Sequence, residues 1–485
     1  MTNEELARAL REIADLLELR GESVFHARAY AKAADRIEEA GDLVRLAREG
    51  RLTEIEGIGK GLADKIGYFL ATGKIPLLEE LRSEIPAGVV EMARVPGLGP
   101  TRIRAIREAL AVRSIEELEQ ALAEGRLSGV KGIGPKVIAD IEKGLRLLRE
   151  TRGLRLHRPA RREAERIAGD LLAIGAEKAE IAGDLARWLE TVREIAIVAA
   201  HADEAAFMEK ACARFPGAVR DGAILRFSSE SGLPVRVRVA APRGFGAALV
   251  LETGSADHLR LLERRAAERS LLFDEKGLHS GGDLLPTPDE IAFYSRLGLP
   301  PIPPEVREGT IEIEAAIADP FPALIERSDI RGIVHAHTTW SDGTASLREM
   351  AEAARALGFE YLAIADHSRS AGYAGGLSVE RLLAQKEEVR ALAAELAPFR
   401  LFHGIESDIL ADGSLDYPDE VLAELDFVVA SVHSRFGLPR EEQTARIVRA
   451  VRNPFTTVLG HPSGRLLLSR APYEFDSGPV WEAAA

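Results

Sequence analysis

The segment Gly332-Ile-Val-His-Ala-His-Thr-Thr-Trp-Ser-Asp342 joins a short apolar run to three side chains of the types that bind metal ions. The apolar run is typical of a buried β-strand, which places His335, His337 and Asp342 at or just beyond its carboxyl end. In α/β barrels the active site lies at the carboxyl ends of the strands. The segment therefore predicts a metal centre in a barrel domain.

Later segments repeat this arrangement of an apolar run followed by an imidazole or a carboxylate. They are Tyr-Leu-Ala-Ile-Ala before Asp366 and His367, Gly-Ile before Glu406, Phe-Val-Val-Ala-Ser-Val before His433, and Thr-Thr-Val-Leu-Gly before His461. Imidazole and carboxylate ligands without a thiolate suit Mn²⁺, Zn²⁺ or Fe²⁺, often as several ions that share a carboxylate. We expect the strands to gather these groups into one site; the alternative is that the histidines are core residues of an ordinary barrel.

The composition predicts a soluble protein of several domains. With 485 residues, 46% of them hydrophobic, the chain is long enough to build several cores. No apolar run approaches the roughly 20 residues that a membrane span needs, and the first residues do not have the pattern of a signal peptide. Cys212 is the only cysteine, so no disulfide forms within the chain. We expect a cytoplasmic monomer without a membrane partner.

The N-terminal part of the chain contains an internal repeat. A Gly-x-Gly turn occurs in Ile55-Glu-Gly-Ile-Gly-Lys60, Val95-Pro-Gly-Leu-Gly-Pro100 and Val130-Lys-Gly-Ile-Gly-Pro135, each time before a helical pattern with Lys or Arg in its first turns. This pattern is typical of the helix-hairpin-helix motif, whose backbone N–H groups bind DNA phosphates without regard to base sequence. The net charge of −14 argues only weakly against a nucleic-acid partner, because phosphate binding depends on local cations.

The residues predicted to contact DNA are the glycines of these turns and the cations beside them. They are Gly57, Gly59, Lys60, Gly97, Gly99, Arg102, Gly132, Gly134 and Lys136. Glycine permits a tight turn and leaves no side chain between the backbone and a phosphate. The alternative, that each Gly-x-Gly merely ends a helix, is weakened by three copies at spacings of 40 and 35 residues.

Segments along almost the whole chain resemble bacterial family X DNA polymerases that carry a C-terminal PHP (polymerase and histidinol phosphatase) domain. The matching segments are 16–34, Phe245-Gly-Ala-Ala-Leu, Thr253-Gly-Ser and 302–308. The resemblance implies a multidomain fold: an all-α DNA-binding, lyase-like domain at 1–80, helix-hairpin-helix fingers at 81–150, an α+β nucleotidyltransferase-like palm at 151–240, a thumb at 241–320 and a TIM-like PHP barrel at 328–485. It also implies gapped, nicked or 3′-ended DNA as the partner.

The palm departs from its family at the carboxylates that hold two Mg²⁺ ions during nucleotidyl transfer. Motifs on both sides set the register, in which the expected Asp-x-Asp pair becomes Glu194 and Ala196, and the third Asp becomes Arg236. The Gly-Ser that binds the triphosphate becomes Gly183-Asp184, and of two following arginines only Arg187 remains. We therefore expect the palm to have lost both Mg²⁺ binding and polymerase activity.

Lys65 aligns with the lysine that family X lyases use to form a Schiff base with a 5′-deoxyribose phosphate. This lysine must lose its proton before it attacks, which partial burial or neighbouring cations would favour. The alternative is a solvated lysine, or a phosphate contact on the second helix of the first hairpin.

In the PHP domain the resemblance implies a site for up to three ions, with Mn²⁺ ahead of Zn²⁺ or Fe²⁺. The implied ligands are His335, His337, Asp342, His367, Glu406, His433 and His461. Arg435 and Arg465 follow two of these motifs and are expected to hold a substrate phosphate, unless they are ordinary surface arginines. The family closes its site with a late Asp-x-His motif that is not found before Ala485, so we expect an incomplete barrel and a site two ligands short.

The sequence thus predicts a DNA repair protein that binds gapped or damaged DNA and hydrolyses phosphoesters at 3′ ends. The implied activities are those of a 3′-5′ exonuclease, a 3′-phosphatase and an abasic endonuclease. Two alternatives remain open. The protein is an active gap-filling polymerase if palm carboxylates lie elsewhere, and a non-enzymatic scaffold for DNA ends if the missing ligands disable the PHP site.

Overall fold

The computed structural model describes residues 3–39, 43–55, 57–318 and 323–485. The chain divides into two compact units, Met1–Gly153 with Leu468–Arg470, and Leu154–Leu467 with Ala471–Ala485. Among the described residues, every helix is too short or too polar to cross a membrane. The predicted end of the thumb at residue 320 lies outside the described residues.

The first unit is all-α. Its helices are α1 (Asn3–Arg20), α2 (Val24–Glu39), α3 (Leu43–Arg48), α4 (Lys60–Thr72), α5 (Pro76–Glu84), α6 (Ala87–Met92), α7 (Pro100–Leu110), α8 (Ile115–Ala123) and α9 (Pro135–Thr151), with 3-10 helices at Leu52–Glu54 and Arg126–Gly129. In α1, Leu6, Leu10 and Ile13 recur at the spacing of a helix face and are fully buried. They belong to one hydrophobic core that extends through the unit.

Three hairpins of nearly identical backbone connect helices in this unit. Their first glycines, Gly57, Gly97 and Gly132, have φ of 82°, 84° and 85°, which glycine adopts without strain. The residue after each is buried and donates its N–H over 3.0 Å to a carbonyl three residues earlier. The second glycine of each turn is extended and precedes α4, α7 or α9. The predicted repeat is therefore a repeat of backbone geometry.

The second unit begins with an α+β region, which the sequence predicts to be the palm. Its strands are β1 (Arg155–Leu156), β2 (Lys178–Ala182), β3 (Thr191–Val192), β4 (Ile195–Ala200), β5 (Val219–Asp221), β6 (Ile224–Ser228) and β7 (Pro234–Ala240), and its helices are α10 (His157–Ala173), α11 (Gly183–Ala186) and α12 (Glu204–Arg214). Five strands form a mixed sheet in the order β2-β4-β7-β6-β5, in which β4 and β7 are parallel. Every residue of β4 is buried, which explains its continuous apolar sequence.

The thumb follows with four helices and a three-stranded antiparallel sheet. Its elements are α13 (Phe245–Thr253), α14 (Ala256–Glu268), β8 (Leu272–Asp274), β9 (Gly277–Ser280), β10 (Asp283–Leu284), α15 (Glu290–Arg296) and α16 (Glu312–Ala318), with 3-10 helices at Pro242–Gly244 and Pro304–Val306. Buried polar pairs fasten its last segment to α14 and α15. His258 Nδ1 lies 2.7 Å from Glu312 Oε1. Arg307 donates to both carboxylate oxygens of Glu290, over 2.6 and 2.9 Å.

The C-terminal region is a parallel α/β sheet. Its elements are β11 (Gly332–Ala336), α17 (Leu347–Ala356), β12 (Tyr361–Ile364), α18 (Val379–Leu396), β13 (Arg400–Asp408), α19 (Asp419–Leu422), β14 (Phe427–Ser431), α20 (Arg440–Val451), β15 (Val458–Leu459) and α21 (Ser477–Ala484), with 3-10 helices at Arg327–Asp329 and Gly372–Ala374. The five strands lie in chain order, and each neighbouring pair is parallel. All their carboxyl ends therefore meet along one edge, as in part of a barrel.

Candidate metal centre and DNA interface

The carboxyl edge of the parallel sheet brings together the seven predicted ligands. His335 lies in β11, His337 and Asp342 follow it, His367 follows β12, Glu406 lies in β13, and His433 and His461 follow β14 and β15. Each strand thus ends near the position where its apolar run ends in the sequence. The parallel order then carries residues that are more than a hundred positions apart into one cluster.

Glu406 lies at the centre of this cluster, with its side chain 2% exposed. Its Oε2 atom lies 3.3 Å from His335 Nε2, 3.4 Å from His337 Nε2 and 3.1 Å from His367 Nδ1. Its Oε1 atom lies 2.8 Å from His461 Nε2 and 3.3 Å from His433 Nε2. The two oxygens therefore face two different groups of histidines, as a bridging carboxylate would.

Asp342 extends the cluster on the side of His337 and His367. Its Oδ1 lies 3.0 Å from His337 Nδ1, and its Oδ2 lies 3.5 Å from His367 Nε2. Three groups of residues offer ligand atoms within 4.8 Å of one another: His335, His337 and Glu406; His337, Asp342 and His367; His367, Glu406 and His433. Because these groups share members, the cluster has the form of neighbouring ion sites with common ligands.

The donor atoms fit metal ions better than they fit one another. His433 Nε2 and His461 Nε2 are 3.2 Å apart, and both face the same oxygen of Glu406. Two imidazole nitrogens at this distance satisfy each other only if one carries a proton, whereas a shared cation satisfies both. The buried Nδ1 of His367 lies 3.1 Å from Glu406 Oε2, yet it forms no hydrogen bond with this oxygen or with any other atom of the described residues. The thiolate-free set of nitrogens and carboxylate oxygens suits Mn²⁺, Zn²⁺ or Fe²⁺.

The electrostatics of the metal-free protein keep the central carboxylate charged. Burial opposes ionisation of Glu406, yet its contacts with the surrounding histidines hold its pKa far below the usual value. Burial also disfavours protonated His433, but hydrogen bonds to Asp408 and Glu406 outweigh this effect and raise the pKa of His433 to about 9. At His367 burial prevails and lowers the pKa. The carboxylate at the centre is therefore ready to bind cations.

Three residues at this edge have left-handed backbone. The φ angles are 66° at His335, 57° at Arg435 and 22° at His461. For a residue other than glycine, this left-handed backbone conformation costs of order 1–3 kcal/mol of folding free energy. It persists only where the surrounding structure fixes it, most often at functional sites. Arg435 shares this backbone conformation with two of the predicted ligands, and its role as a phosphate contact stays a prediction. Arg435 is also exposed to solvent, as a phosphate contact requires.

Asp408 belongs to the site but is absent from the predicted ligands. Its Oδ1 accepts a hydrogen bond from His433 Nδ1 over 2.5 Å, which turns the Nε2 atom of His433 toward Glu406. A carboxylate behind a metal-binding imidazole fixes the ring and its tautomer. The sequence held a signal for it, because side chains two apart on a strand share a face, and Asp408 follows Glu406 at that spacing.

Asp366 is fully buried and positions the loop that carries two ligands. It accepts hydrogen bonds from Thr338 N and Oγ1, both over 2.8 Å, and from Ser341 Oγ over 2.5 Å. Gln385 donates to it over 2.6 Å and accepts from His403 Nε2 over 3.1 Å. Burial lowers the pKa of His403 to about 4. Asp366 thus fastens the start of the segment between His337 and Asp342, a role that residue spacing does not reveal.

Arg465, the second predicted phosphate contact, lies against the palm. Its Nη2 atom donates to both carboxylate oxygens of Glu190, over 2.5 and 2.6 Å. Glu190 directly precedes β3. In this conformation Arg465 therefore has a protein carboxylate where its predicted role requires a phosphate.

In the palm, the structure places Ala196 and Arg236 side by side as partners in the parallel pair β4 and β7. Arg236 Nη2 lies 2.7 Å from Glu194 Oε1, and its Nη1 lies 3.1 Å from Glu252 Oε2. Glu252, in α13, also accepts from Arg238 Nε over 2.5 Å. The guanidinium group of Arg236 thus lies between Glu194 and Glu252. At this position the sequence predicts that the palm has lost its two Mg²⁺ ions.

The remaining arginine of the triphosphate turn is also paired. Arg187 Nη2 lies 2.6 Å from Asp184 Oδ1, and Arg187 Nη1 lies 3.1 Å from Glu308 Oε2. Its side chain is only 10% exposed. Two carboxylates therefore already surround the cation that would otherwise bind a phosphate.

The hairpins of the first unit leave their second glycines open to solvent. An added Cβ atom at Gly59, Gly99 or Gly134 would meet no atom within 4 Å. The cations that follow differ from one hairpin to the next. Lys60 and Lys136 are exposed, whereas Arg102 Nη1 donates to the carbonyl of Gly97 over 2.6 Å and so braces its own turn.

Lys65 lies on α4, next to the first hairpin. Its Nζ atom is 5.9 Å from the centre of the Tyr30 ring and 3.4 Å from the carbonyl oxygen of Gly61. Tyr30 is 4% exposed, so it packs in the core and presents its ring to the lysine. Lys65 is half-buried, and its role as a lyase nucleophile stays a prediction.

Family models match four regions of the chain. They are a Helix-hairpin-helix domain at residues 1–75, a SAM-like Helix-hairpin-helix tandem at 89–146, a DNA polymerase beta thumb at 248–308 and a PHP domain at 334–459. These matches confirm the fold class that the sequence predicts, from the helical N-terminal region through the thumb to the PHP domain.

One relative aligns with the whole chain. It is the DNA polymerase/3′-5′ exonuclease PolX of Bacillus subtilis (strain 168), which is 36% identical over 499 residues, or 100% of this chain and 86% of the relative. The chain therefore belongs to the bacterial family X DNA polymerases that carry a PHP domain. The chain is also similar to a probable phosphatase of Acetivibrio thermocellus, 34% identical over 132 residues, or 26% of this chain and 52% of that protein.

Proposed function

We propose that this protein is a DNA repair phosphoesterase that hydrolyses phosphoester bonds at DNA 3′ ends with metal ions held at the PHP edge. The observation that carries the proposal is the convergence of five histidines on the two oxygens of Glu406, with Asp342 beside two of them. Two further facts support it. The relative from Bacillus subtilis is named as a DNA polymerase/3′-5′ exonuclease, and the relative from Acetivibrio thermocellus is named as a probable phosphatase.

Manganese is the expected metal, in up to three ions, which would lower the pKa of bound water and polarise the phosphoester. Glu406 and the histidines around it would hold the ions, and Asp408 would keep the Nε2 atom of His433 directed toward Glu406. Asp366 would hold the loop that carries Asp342 in place. Arg435, strained and exposed beside the cluster, would bind the substrate phosphate.

The three hairpins would supply the DNA partner, which we expect to be gapped, nicked or 3′-ended. Their repeated geometry places an extended, exposed glycine directly before α4, α7 and α9, and phosphates bind at such helix starts. These contacts do not depend on base sequence, as expected for a protein that acts at DNA ends of any sequence.

The palm would not extend a primer. Arg236 lies within 2.7 Å of Glu194, so a cation takes the place of the expected ligand. A unit charge about 4 Å from another of the same sign costs on the order of 4 kcal/mol at an effective dielectric of about 20. Since each ~1.4 kcal/mol is a factor of ten in rate or affinity, this penalty and the lost ligands together argue against catalysis.

The test uses gapped DNA labelled at the 5′ end of the primer, with either a 3′-hydroxyl or a 3′-phosphate. With Mn²⁺ the full-length protein should release nucleotides from the first and phosphate from the second. Glu406→Gln should abolish both and lower the bound metal found by elemental analysis. Glu424→Gln, which alters an exposed carboxylate paired with Lys386 in the same domain, is the matched control. Cleavage that survives in Glu406→Gln would refute the proposed site.

A further inference from the structure

A large aromatic side chain projects into solvent beside the metal centre. Tyr373 is 75% exposed, and its ring centre lies 6.1 Å from that of His367. It stands in a short 3-10 helix, Gly372–Ala374, within the loop that joins β12 to α18. Aromatic residues usually bury most of their surface, and an exposed one next to a reactive site is a common way to bind a ligand.

The loop around Tyr373 is held at its base by buried groups. Ser370 donates to both oxygens of Asp416, from its N–H over 2.7 Å and from its hydroxyl over 2.6 Å, and the Asp416 side chain is 2% exposed. Leu377 donates its N–H to the carbonyl of His367 over 2.9 Å. An added Cβ atom at Gly376 would come within 1.9 Å of the carbonyl of Ser368, so the chain doubles back tightly there.

Tyr417, a second tyrosine of the same region, has a structural role. Tyr417 is 3% exposed and donates its hydroxyl to the carbonyl of Leu377 over 2.5 Å. It fills the base of the loop, while Tyr373 occupies the tip. Tyr417 and Asp416 thus hold the base of the loop, and Tyr373 presents its ring at the tip.

We propose that Tyr373 is a substrate-positioning residue whose ring stacks on the base of the 3′-terminal nucleotide while the adjoining phosphate lies at the metal centre. The inference rests on the proposed function of that centre. Stacking on an aromatic ring accepts any base, because every base has a π face. Stacking also requires that the ring be held in place. Ordering a freely moving ring on binding would cost entropy and offset the stacking energy. The anchored loop provides this support.

The first test measures binding without turnover. An oligonucleotide with 2-aminopurine as its 3′-terminal base should lose fluorescence when the full-length, Mn²⁺-loaded protein binds it, and the loss should be measured before cleavage by rapid mixing. The same base placed well inside the strand should be less affected. Tyr373→Ala should remove the terminal quenching and Tyr373→Phe should keep it. Trp481→Ala, which removes a half-exposed aromatic from α21, is the control. Equal quenching in wild type and Tyr373→Ala would overturn the inference.

The second test compares 3′ ends with and without a base. Tyr373→Ala should raise KM for a 3′-terminal nucleotide by roughly ten-fold more than for a 3′-terminal abasic deoxyribose. An equal loss on both ends would mean that the ring only shapes the loop. If the wild-type protein cleaves neither end, the proposed function fails, while the fluorescence measurement still decides whether Tyr373 contacts the terminal base.

Discussion

Arg236 forms an ion pair of 2.7 Å with Glu194, across the two strands of the palm that lie side by side. The pair joins two positions where the family alignment expects metal-binding carboxylates. A protein cation therefore lies where the family resemblance leads us to expect bound Mg²⁺.

The first prediction follows from this pair. Purified protein should not extend a primer across a gap in the presence of Mg²⁺ and deoxynucleotides, because the site lacks two of three carboxylates and holds a guanidinium instead. Gel analysis of a labelled primer would measure this. Binding of the same gapped DNA, followed in parallel, shows that the preparation is active. Extension at the rate of an intact family member would show that other carboxylates serve the palm.

The second prediction concerns Asp408. Asp408→Asn should weaken Mn²⁺ or Zn²⁺ binding about 10- to 100-fold, because His433 loses the carboxylate that orients its ring. Competition with a coloured chelator would measure the affinity. Asp412→Asn changes an exposed carboxylate near the end of the same strand and should have no such effect. Unchanged affinity in Asp408→Asn would mean that Asp408 does not support a bound ion.

The third prediction concerns the third hairpin. Gly134 has an extended backbone, with φ −89° and ψ 175°, and an added Cβ atom there meets nothing. Gly134→Asp and Gly134→Asn should therefore both fold, since each residue is a favoured N-cap. Only the aspartate places a negative charge against a phosphate, so it should weaken DNA binding more.

Fluorescence anisotropy on gapped DNA at two salt concentrations would show this difference. The difference in DNA affinity between the Asp and Asn variants should shrink as the salt concentration rises, because screening weakens the added repulsion. Gly59→Asp and Gly59→Asn provide the same comparison in the first hairpin. Identical affinities for the Asp and Asn variants would place the hairpin away from phosphates.

The fourth prediction concerns pH and folding. Burial lowers the pKa of His403 from 6.5 in the unfolded chain to about 4. Between these two pKa values the unfolded state binds more protons than the folded state. The contribution of neutral His403 to folding stability is therefore complete above pH 6.5 and is lost as the pH falls toward 4. The loss amounts to about 3 kcal/mol in the free energy of unfolding.

His403→Gln can still donate to Gln385 but does not titrate in this range. Its melting temperature, followed by circular dichroism from pH 7.5 to 4.5, should fall less steeply than that of the wild type. Near pH 7.5 the two proteins should differ least in the slope of this curve. Parallel curves across the whole range would show that His403 is not kept neutral by the fold.

Much of the site could be predicted because its signals are local. Each ligand stands at the end of an apolar run, and the length of that run places His367 or His433 just beyond a strand. The hairpins are equally local, since a glycine with positive φ and the buried residue after it are specified by adjacent positions. Local patterns therefore account for the hairpins and for the edge on which the ligands meet, whereas the palm and the thumb are expected only from the family resemblance.

Contacts between distant side chains could not be predicted in the same way. Glu252 lies in α13, a helix that is almost entirely apolar, and only the packing of that helix on the sheet brings it to Arg236 and Arg238. Arg465 stands 275 positions after Glu190, and their pairing depends on how two domains pack. Such contacts belong to tertiary structure, and no spacing rule contains them.

The polar anchor at the end of the thumb has a practical consequence for dissecting the protein. Similarity to the polymerase beta thumb ends at residue 308, yet Glu312, which pairs with the buried His258, lies beyond that limit. A fragment cut at residue 308 would keep the contact of His258 with Tyr294 but would leave the buried Nδ1 atom of His258 without its carboxylate partner. Expression boundaries drawn from alignment alone would thus yield an unstable thumb, whereas a fragment that runs through α16 would retain the pair.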